Sequence, residues 1–311
     1  MAKLTHDEFY TLFQDVENEL KHYNFKNAVV WLPCDNSAFS SFYRYFFLNF
    51  HELGLKKVIC SCYGKQGKVT IFDGSSISTH FLNGDGSFDC DEVKPFLNEC
   101  DIVVTNPPFS KFEQITELCI ENNKRFILLG FFGVLYRHKV FEFLFHGKLK
   151  LGHTRNKSLE FIVPNWCDYH TEKNGVHYVT LSNVVFFTNI DIDKQVQFKS
   201  DVKLSDYPFQ KYSNFDAFHI PECSLIPSDC FELLAVPLTY LTIHDETEFE
   251  IVGRLHSYPK NEPKHGKFCG KRVMCISKGK QVFTTGGVIG NTAYFTRLLI
   301  KRKFNGSSTC Q

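Results

Sequence analysis

The chain has 311 residues, of which 22% are charged and 43% hydrophobic, and its formal net charge is +1. No apolar run approaches the roughly 18 residues that a membrane-spanning helix needs, and the polar start MAKLTHDEFY lacks the order of a secretory signal. These features argue against a membrane-embedded or exported protein. We expect an intracellular one, cytoplasmic or nucleoid-associated in a bacterium or phage and nuclear in a eukaryote.

The twelve cysteines are scattered across strand-like and helix-like segments. Small secreted proteins instead crowd their cysteines into short, loop-rich chains, so this distribution predicts reduced thiols and no disulfide framework. No two cysteines have the Cys-x-x-Cys spacing, and the sequence therefore predicts no metal site.

The first part of the chain alternates between helical and strand-like patterns. Thr5 and Glu8 have the capping-box spacing, and the apolar residues from Phe9 onward recur at helical intervals, so we predict that a helix opens the chain. Residues 28–32 (AVVWL) predict a buried strand, an aromatic-rich helix follows, and residues 56–63 (KKVICSCY) predict the next strand.

The alternation then continues. Residues 68–88 predict a Gly-rich hairpin, and residues 101–106 (DIVVTN) predict another buried strand. Ser110 and Glu113 form a second capping box that opens a helix, and residues 125–130 (RFILLG) predict the strand after it.

Two later segments, 159–164 (LEFIVP) and 179–190 (VTLSNVVFFTNI), are typical of an antiparallel pair that completes one edge of a parallel sheet. Together with the preceding alternation they predict an α/β fold with a mostly parallel sheet.

From about residue 200 the sequence becomes turn-rich and its charges separate. Residues 201–250 contain ten acidic and two basic side chains, whereas residues 251–311 contain twelve basic residues and one acidic residue, Glu262. We predict an α/β domain over residues 1–200 and a basic, β-rich region over residues 201–311, which is either a separate small domain or a long extension of the first. Such a basic segment is typical of a polyphosphate partner, although a solvated lysine-rich surface would have the same composition.

The loop after the first predicted strand, PCDNS, contains Asp35. In open α/β sheets ligands bind at the carboxyl ends of strands, and backbone amides at the start of the next helix favour a negatively charged ligand group. The loop is therefore a candidate cofactor site in which Asp35 accepts hydrogen bonds. The alternative is that Asp35 is a plain helix cap.

The loop NPPF, residues 106–109, ends a buried strand. Its two prolines cannot donate hydrogen bonds and fix φ, so Asn106 and nearby carbonyl groups face one acceptor-rich point. If the Asn106 side-chain oxygen and the Pro107 carbonyl each accept an N–H from a substrate amino group, the delocalised lone pair of that nitrogen is freed to attack an electrophile. Phe109 would stack on the substrate ring. The alternative is a proline-rich turn with Asn106 as a cap and Phe109 in the core.

Six segments, in order along the chain, resemble one family. They are DEFYTLFQDVENELKHY, CDNSAFSSFYRYFFLNFHELGLKKV, NGDGSFDCDE, DIVVTNPPFS, LIPSDCFELLAVPLTYL and FEIVG. They are similar to the EcoRI family of adenine-specific DNA methyltransferases, and the resemblance covers nearly the whole chain. It implies a doubly wound, mostly parallel, Rossmann-like methyltransferase domain over residues 1–200, followed by a DNA-recognition region over residues 201–311. It also implies site-specific transfer of a methyl group from S-adenosylmethionine to N6 of an adenine that is turned out of double-stranded DNA.

The resemblance also implies roles for individual residues. S-adenosylmethionine would be contacted by Phe9, Tyr10, Thr11, Pro33, Cys34, Asp35 and Asp85. The target adenine would be held by Asn106, Pro107, Pro108 and Phe109. Candidate DNA contacts in the basic tail are Arg254, Lys267, Lys271, Arg272, Lys278 and Lys280.

The chain departs from the expected pattern at three places. The glycine-rich first motif of methyltransferases at large is replaced by WLPCDNS. Asn36 and Ser37 stand where the family has an acidic residue and a proline, and the second strand ends in Ser61, Cys62 and Tyr63 without the acid that often binds the cofactor ribose.

Two alternatives to a DNA methyltransferase follow from the residues. One is an enzyme that methylates an RNA adenine or a protein glutamine at the same loop. The other is a catalytically inactive nucleic-acid-binding relative that has lost the cofactor. The sequence is compatible with either a monomer or a homodimer.

Overall fold

The computed structural model describes residues 9–155, 158–163, 171–192, 198–257, 270–277 and 280–303. The chain forms two compact units, Met1–Asp193 and Lys194–Gln311. Within the described ranges, no helix combines the length and the apolar character needed to cross a bilayer. The nine cysteines in these ranges are free thiols.

The first unit contains both helices and strands. Its described α-helices are α1 (Phe13–Leu20), α2 (Ser41–Leu48), α3 (Lys94–Glu99), α4 (Phe112–Glu121) and α5 (His138–Phe145). Its described strands are β1 (Tyr10–Thr11), β2 (Val29–Leu32), β3 (Lys57–Cys62), β4 (Lys68–Phe72), β5 (Ile77–Phe81), β6 (Ile102–Thr105), β7 (Arg125–Phe131), β8 (Lys150–Leu151), β9 (Leu159–Ile162), β10 (Thr171–Lys173), β11 (Val176–Leu181) and β12 (Val184–Thr188).

An eight-stranded sheet with the order β5-β4-β3-β2-β6-β7-β12-β8 forms the centre of this unit. The four adjacent strands β3, β2, β6 and β7 run parallel, and the other neighbours pair antiparallel. β2 and β6 are buried along their whole lengths, as expected for parallel strands that are covered on both faces. Helices and strands alternate as predicted, but the sheet is mixed rather than mostly parallel, because antiparallel strands extend it at both edges.

β1 belongs to a second, four-stranded antiparallel sheet with the order β1-β9-β11-β10. The helix predicted to include Phe9 is therefore wrong at its start: α1 begins only at Phe13, because the preceding residues pair with β9. Thr5 and Glu8, the predicted cap, lie outside the described residues.

The strand predicted at residues 179–190 is two strands in two sheets. β11 ends at Leu181 and pairs with β9, whereas β12 begins at Val184 and pairs antiparallel with β7. Between them Asn183 adopts a φ of 62°, a left-handed conformation that asparagine tolerates and that ends β11.

Aromatic side chains fill the core around α2. Phe42 and Phe46 of this helix are at most 1% exposed, and they make edge-on contacts with Phe186 at 6.4 Å and with Phe25 at 5.0 Å between ring centroids. Each such buried ring contributes about 1.5–3 kcal/mol. This packing positions α2 and therefore also the loop that precedes it.

The second unit consists of strands and 3₁₀ turns in its described residues. The strands are β13 (Gln210–Lys211), β14 (Phe218–His219), β15 (Leu234–Val236), β16 (Phe249–Leu255), β17 (Val273–Ser277), β18 (Lys280–Thr284), β19 (Val288–Ile289), β20 (Thr292–Ala293) and β21 (Arg297–Arg302). They form one sheet with the order β13-β14-β15-β21-β16 and another with the order β18-β17-β20-β19.

Candidate active site

Two loops leave the centre of the eight-stranded sheet at the same edge. β2 and β6 are parallel neighbours, and β3 lies on the far side of β2 while β7 lies on the far side of β6. The connections that follow β2 and β6 therefore diverge and leave a crevice at the carboxyl ends of the two strands, where α/β sheets bind ligands. A cleft of about 710 Å³ lies there.

Segments that are far apart in the sequence meet in this cleft. The predicted site residues that line it are Phe9, Tyr10, Thr11, Pro33, Cys34, Asp35, Asp85, Asn106 and Pro108. Pro107 and Phe109 are buried next to the cleft and do not line it. The structure thus unites all the predicted cofactor residues with two residues of the NPPF loop.

The Asn106 side chain has a defined orientation. Its Nδ2 donates to the carbonyl oxygen of Phe9 at 2.7 Å and to Thr11 Oγ1 at 3.3 Å. Because the nearer partner is a carbonyl oxygen, which can only accept, the amino side of the carboxamide must face it. Oδ1 is consequently the acceptor that this half-buried side chain offers to a ligand in the cleft.

The Phe109 ring packs in the core. Phe109 is 8% exposed, and its ring centroid lies 4.2 Å from that of Phe131 and 5.8 Å from that of Phe9. The ring therefore anchors the turn, and its predicted stacking on a substrate ring stays a prediction. Pro107 is also buried and stiffens the turn.

Asp35 connects three elements at the crevice. Its Oδ2 accepts from Thr105 Oγ1 and its Oδ1 accepts from Ser40 Oγ, both at 2.6 Å. Thr105 ends β6 immediately before Asn106, and Ser40 caps α2 by accepting from the Tyr43 backbone N–H at 3.1 Å. Asp35 is 7% exposed, so it braces the two loops against each other in addition to lining the cleft.

Burial governs the protonation of the two titratable residues in this loop. It raises the pKa of Asp35 to about 6, although the hydrogen bonds from Ser40 and Thr105 act in the opposite direction. Burial, followed by the adjacent Asp35 carboxylate, also raises the pKa of the Cys34 thiol. Cys34 is therefore a neutral thiol near pH 7 and not a thiolate nucleophile.

Asp85 lies beside the end of β3. The Gly64 N–H donates to the Asp85 carbonyl and the Ser87 N–H donates to its carboxylate, both at 2.9 Å. Gly86 has a φ of +73°, and a Cβ at this position would lie 2.6 Å from the Cys62 carbonyl oxygen, so the close approach of the loop requires glycine. The exposed Asp85 thus supplies a carboxylate at the strand end where the sequence shows none.

Sequence reasoning missed the roles of Ser40 and Thr105. Neither residue belongs to a motif, although a hydroxyl residue directly before the NPPF loop and another directly before an aromatic-rich helix were visible signals.

The cap predicted for α4 is wrong. The helix begins at Phe112 after a 3₁₀ turn over Phe109–Lys111, and its cap position is Lys111 rather than Ser110.

The predicted DNA-contacting cations belong to the second unit. Lys271, Arg272 and Lys280 are exposed. Arg254 lies in β16 and is only 3% exposed, so it is not a surface cation and the prediction is corrected for this residue. Lys267 and Lys278 lie outside the described residues.

Comparisons with known proteins point to one family. The chain matches the family described as "Adenine-specific methyltransferase EcoRI" over residues 2–81 and 65–303. It is 34% identical to Type II methyltransferase M.EcoRI of Escherichia coli over 281 residues, which cover 79% of this chain and 85% of that protein. It is also 32% identical to Type II methyltransferase M.MgeORF184P of Mycoplasma genitalium over 269 residues, and 33% identical to Type II methyltransferase M.MpnI of Mycoplasma pneumoniae over 265 residues; each alignment covers 80% of this chain and 83% of the relative. No solved structure matches the chain significantly.

The family match and the three relatives show that the chain belongs to the EcoRI family of adenine-specific methyltransferases.

Proposed function

We propose that this protein is a site-specific DNA adenine N6-methyltransferase that uses S-adenosylmethionine. One observation carries the proposal: the Asn106 carboxamide is held by the Phe9 carbonyl, which leaves Oδ1 as an acceptor in the cleft at the carboxyl ends of β2 and β6. The membership in an adenine-specific methyltransferase family supports it.

The chemistry of adenine explains why such an acceptor is needed. The exocyclic amine is a weak nucleophile because its lone pair is delocalised into the ring. Asn106 Oδ1 accepts an N–H hydrogen bond, directs the lone pair out of conjugation, and stabilises the positive charge that develops on N6 during transfer. Because the two Nδ2 hydrogen bonds already fix the carboxamide, this stabilisation needs little reorganisation.

The cleft fits S-adenosylmethionine in size and in the chemistry of its walls. Its volume of about 710 Å³ lies in the usual range of small-molecule sites, and its walls combine the exposed Asp85 carboxylate with the aromatic side chains of Tyr10 and Phe88. When bound, S-adenosylmethionine supplies a methyl group on a positively charged sulfur. Asp85 would accept hydrogen bonds from the ribose hydroxyls, and the aromatic residues would contact apolar parts of the ligand.

Asp85→Asn is expected to weaken S-adenosylmethionine binding by about 10–100-fold, because a hydrogen bond to a charged group contributes about 1.5–3 kcal/mol. Titration calorimetry measures the affinity. Asp73→Asn is the matched control: Asp73 is also exposed, and its carboxylate accepts from the backbone N–H groups of Ser75 and Ser76 as that of Asp85 accepts from the Ser87 N–H, but Asp73 does not line the cleft. Equal losses of affinity in the two variants would contradict the role of Asp85.

Stability is expected to depend on pH through Asp35. Burial raises its pKa from 3.8 to about 6, so between these values the folded protein holds a proton that the unfolded chain has released. The free energy of unfolding therefore falls as the pH rises from about 4 to about 6, and this contribution then levels off. Over the same interval ionisation frees both carboxylate oxygens to accept from Ser40 and Thr105, so the rate of methyl transfer is expected to rise.

The Asp35→Asn variant isolates this effect from other titrating groups. The parent loses this contribution between pH 4 and pH 7 and the variant does not. The free energy of unfolding of the variant minus that of the parent is therefore expected to increase by on the order of 2–3 kcal/mol over this interval. Its rate should also lack the inflection near pH 6. Urea unfolding and initial rates at both pH values provide the measurement, and a difference between parent and variant that is the same at both would refute the assignment.

We also infer a division of labour between the two units. The parallel strands β3, β2, β6 and β7 would be the core of a doubly wound, Rossmann-like methyltransferase domain, and the second unit would recognise double-stranded DNA through exposed cations such as Lys271, Arg272 and Lys280. An adenine stacked inside a duplex cannot present N6 to an acceptor in a cleft, so the nucleotide would be turned out of the helix before transfer.

Incubation with labelled S-adenosylmethionine and mixed-sequence duplex DNA tests the proposal. N6-methyladenine in the digested DNA is the expected product. Competing RNA and a glutamine-containing protein are included, since label in either one instead of DNA would favour the corresponding alternative. A chain that binds S-adenosylmethionine and modifies no DNA adenine would overturn the proposal.

A further inference from the structure

The β17–β18 hairpin of the second unit presents apolar side chains to solvent. Its register pairs Met274 with Phe283, and strand alternation places Ile276 on the same face and Cys275 on the opposite one. Met274 is 55% exposed, Phe283 62% and Ile276 47%, whereas Cys275 is 3% exposed. The apolar face thus points outward, which reverses the usual pattern of an antiparallel sheet with one solvated side.

A cluster of apolar side chains on a protein surface often marks a binding site, because exposing it to water is unfavourable. Among the described residues of this unit β18 is an edge strand, since the order of its sheet is β18-β17-β20-β19. The hairpin can therefore approach a partner with its outer face and its free edge together.

Cations border this face. The Arg272 guanidinium lies 4.9 Å from the centroid of the Phe283 ring. Lys271 directly precedes Arg272, Lys280 is the first residue of β18, and both side chains are exposed. Residues 263–311 contain no Asp or Glu. A partner that is anionic and also offers flat apolar surfaces would therefore complement this face. The same face of a second copy is disfavoured, because contact would bring these cations together.

DNA combines phosphates with the flat faces of its bases. We propose that the β17–β18 hairpin is a wedge that packs Met274 and Phe283 against bases and unstacks a step of the duplex, while the bordering cations contact phosphates. The proposal rests on DNA being the substrate. A two-stranded β-ribbon fits into a DNA groove, and Phe, Ile and Met are among the residues that other proteins insert between base pairs. Unstacking at the wedge reduces the work of turning a nucleotide out of the helix.

A double substitution, Met274→Ser with Phe283→Ser, tests the wedge. Both side chains are exposed, so the change is expected to alter stability little. The matched control is Ile77→Ser with Phe81→Ser, an exposed apolar pair on β5 with 56% and 66% exposure. The hairpin variant is expected to bind mixed-sequence duplex DNA on the order of 10–100-fold more weakly by fluorescence anisotropy, and the control is expected to bind like the parent.

Unwinding provides a readout that a general loss of affinity does not mimic. Closed circular plasmid is relaxed by topoisomerase at saturating protein, and the linking number is then measured. The parent and the β5 control are expected to shift it, and the hairpin variant is expected to leave it unchanged. Parental affinity and parental unwinding in the hairpin variant would overturn the wedge.

Four further outcomes have defined meanings. If the parent methylates plasmid adenine but the hairpin variant unwinds DNA normally, the wedge fails and the methyltransferase proposal stands; if the parent neither methylates nor binds DNA, both fail. If the variant loses binding to phosphatidylserine vesicles and keeps its affinity for DNA, the face is a membrane surface and the wedge is overturned. A dimer of the parent that dissociates in the variant, with DNA affinity unchanged, overturns it in favour of self-association.

Discussion

Asn106→Ala is expected to lower the rate of methyl transfer by on the order of 10²–10³-fold, which is the typical cost of removing one preorganised polar group from a transition state. The substitution removes Oδ1, the acceptor that we assign to the adenine amine, and the Nδ2 bonds to Phe9 and Thr11 that orient it. Initial rates on duplex DNA at saturating S-adenosylmethionine give the measurement.

Two further variants separate chemistry from packing. Asn106→Asp keeps an acceptor oxygen but places a second one against the Phe9 carbonyl, so we expect a rate between those of the parent and the alanine variant. Asn122→Ala is the matched control, since the Asn122 Nδ2 also donates to a backbone carbonyl, that of Leu118 at 2.8 Å, on the exposed end of α4. Full activity of Asn106→Ala, or an equal loss in Asn122→Ala, would refute the role of Asn106.

Phe109→Ala is expected to reduce the free energy of unfolding by about 3–5 kcal/mol and to abolish most activity, because the ring that anchors the NPPF turn is lost. Phe109→Leu is expected to cost only about 1–1.5 kcal/mol and to keep a rate within a few-fold of the parent, since a leucine can fill most of the space between Phe9 and Phe131. Thermal unfolding and initial rates on the same preparations measure both quantities.

The leucine variant decides between two roles of the ring. A core anchor needs volume, whereas a stacking platform for adenine needs an aromatic face. Phe112→Leu is the control for lost core volume alone, because Phe112 is fully buried and packs on Phe187 at 5.0 Å between ring centroids. If Phe109→Leu is as stable as Phe112→Leu but loses activity as Phe109→Ala does, the ring contacts the substrate and does more than anchor the turn.

Local sequence patterns predicted most of the central sheet. The apolar runs at residues 28–32 and 101–106 became β2 and β6, because a short β-branched run that is buried on both faces has few other stable conformations. The prediction that a helix starts at Phe9 was wrong for the opposite reason, because its apolar pattern is compatible with more than one conformation. The apolar spacing around Phe9 also fits a strand edge, and pairing with β9, roughly 150 residues later in the chain, decided between them.

Sequence and tertiary structure also determined different features of the candidate site. The sequence by itself determined the chemistry on offer, since an asparagine before two prolines at a strand end is a stiff, acceptor-rich turn in any context. Only the tertiary structure decided how that turn is used: which atom of Asn106 faces the cleft, that Asp35 joins β6 to α2, and that Asp85 stands beside β3. Each of these depends on partners distant in the chain, such as Phe9 and Asn106, which lie 97 residues apart. Neighbouring residues encode local conformation, but contacts between distant segments are set by sheet pairing and core packing, which no local pattern contains.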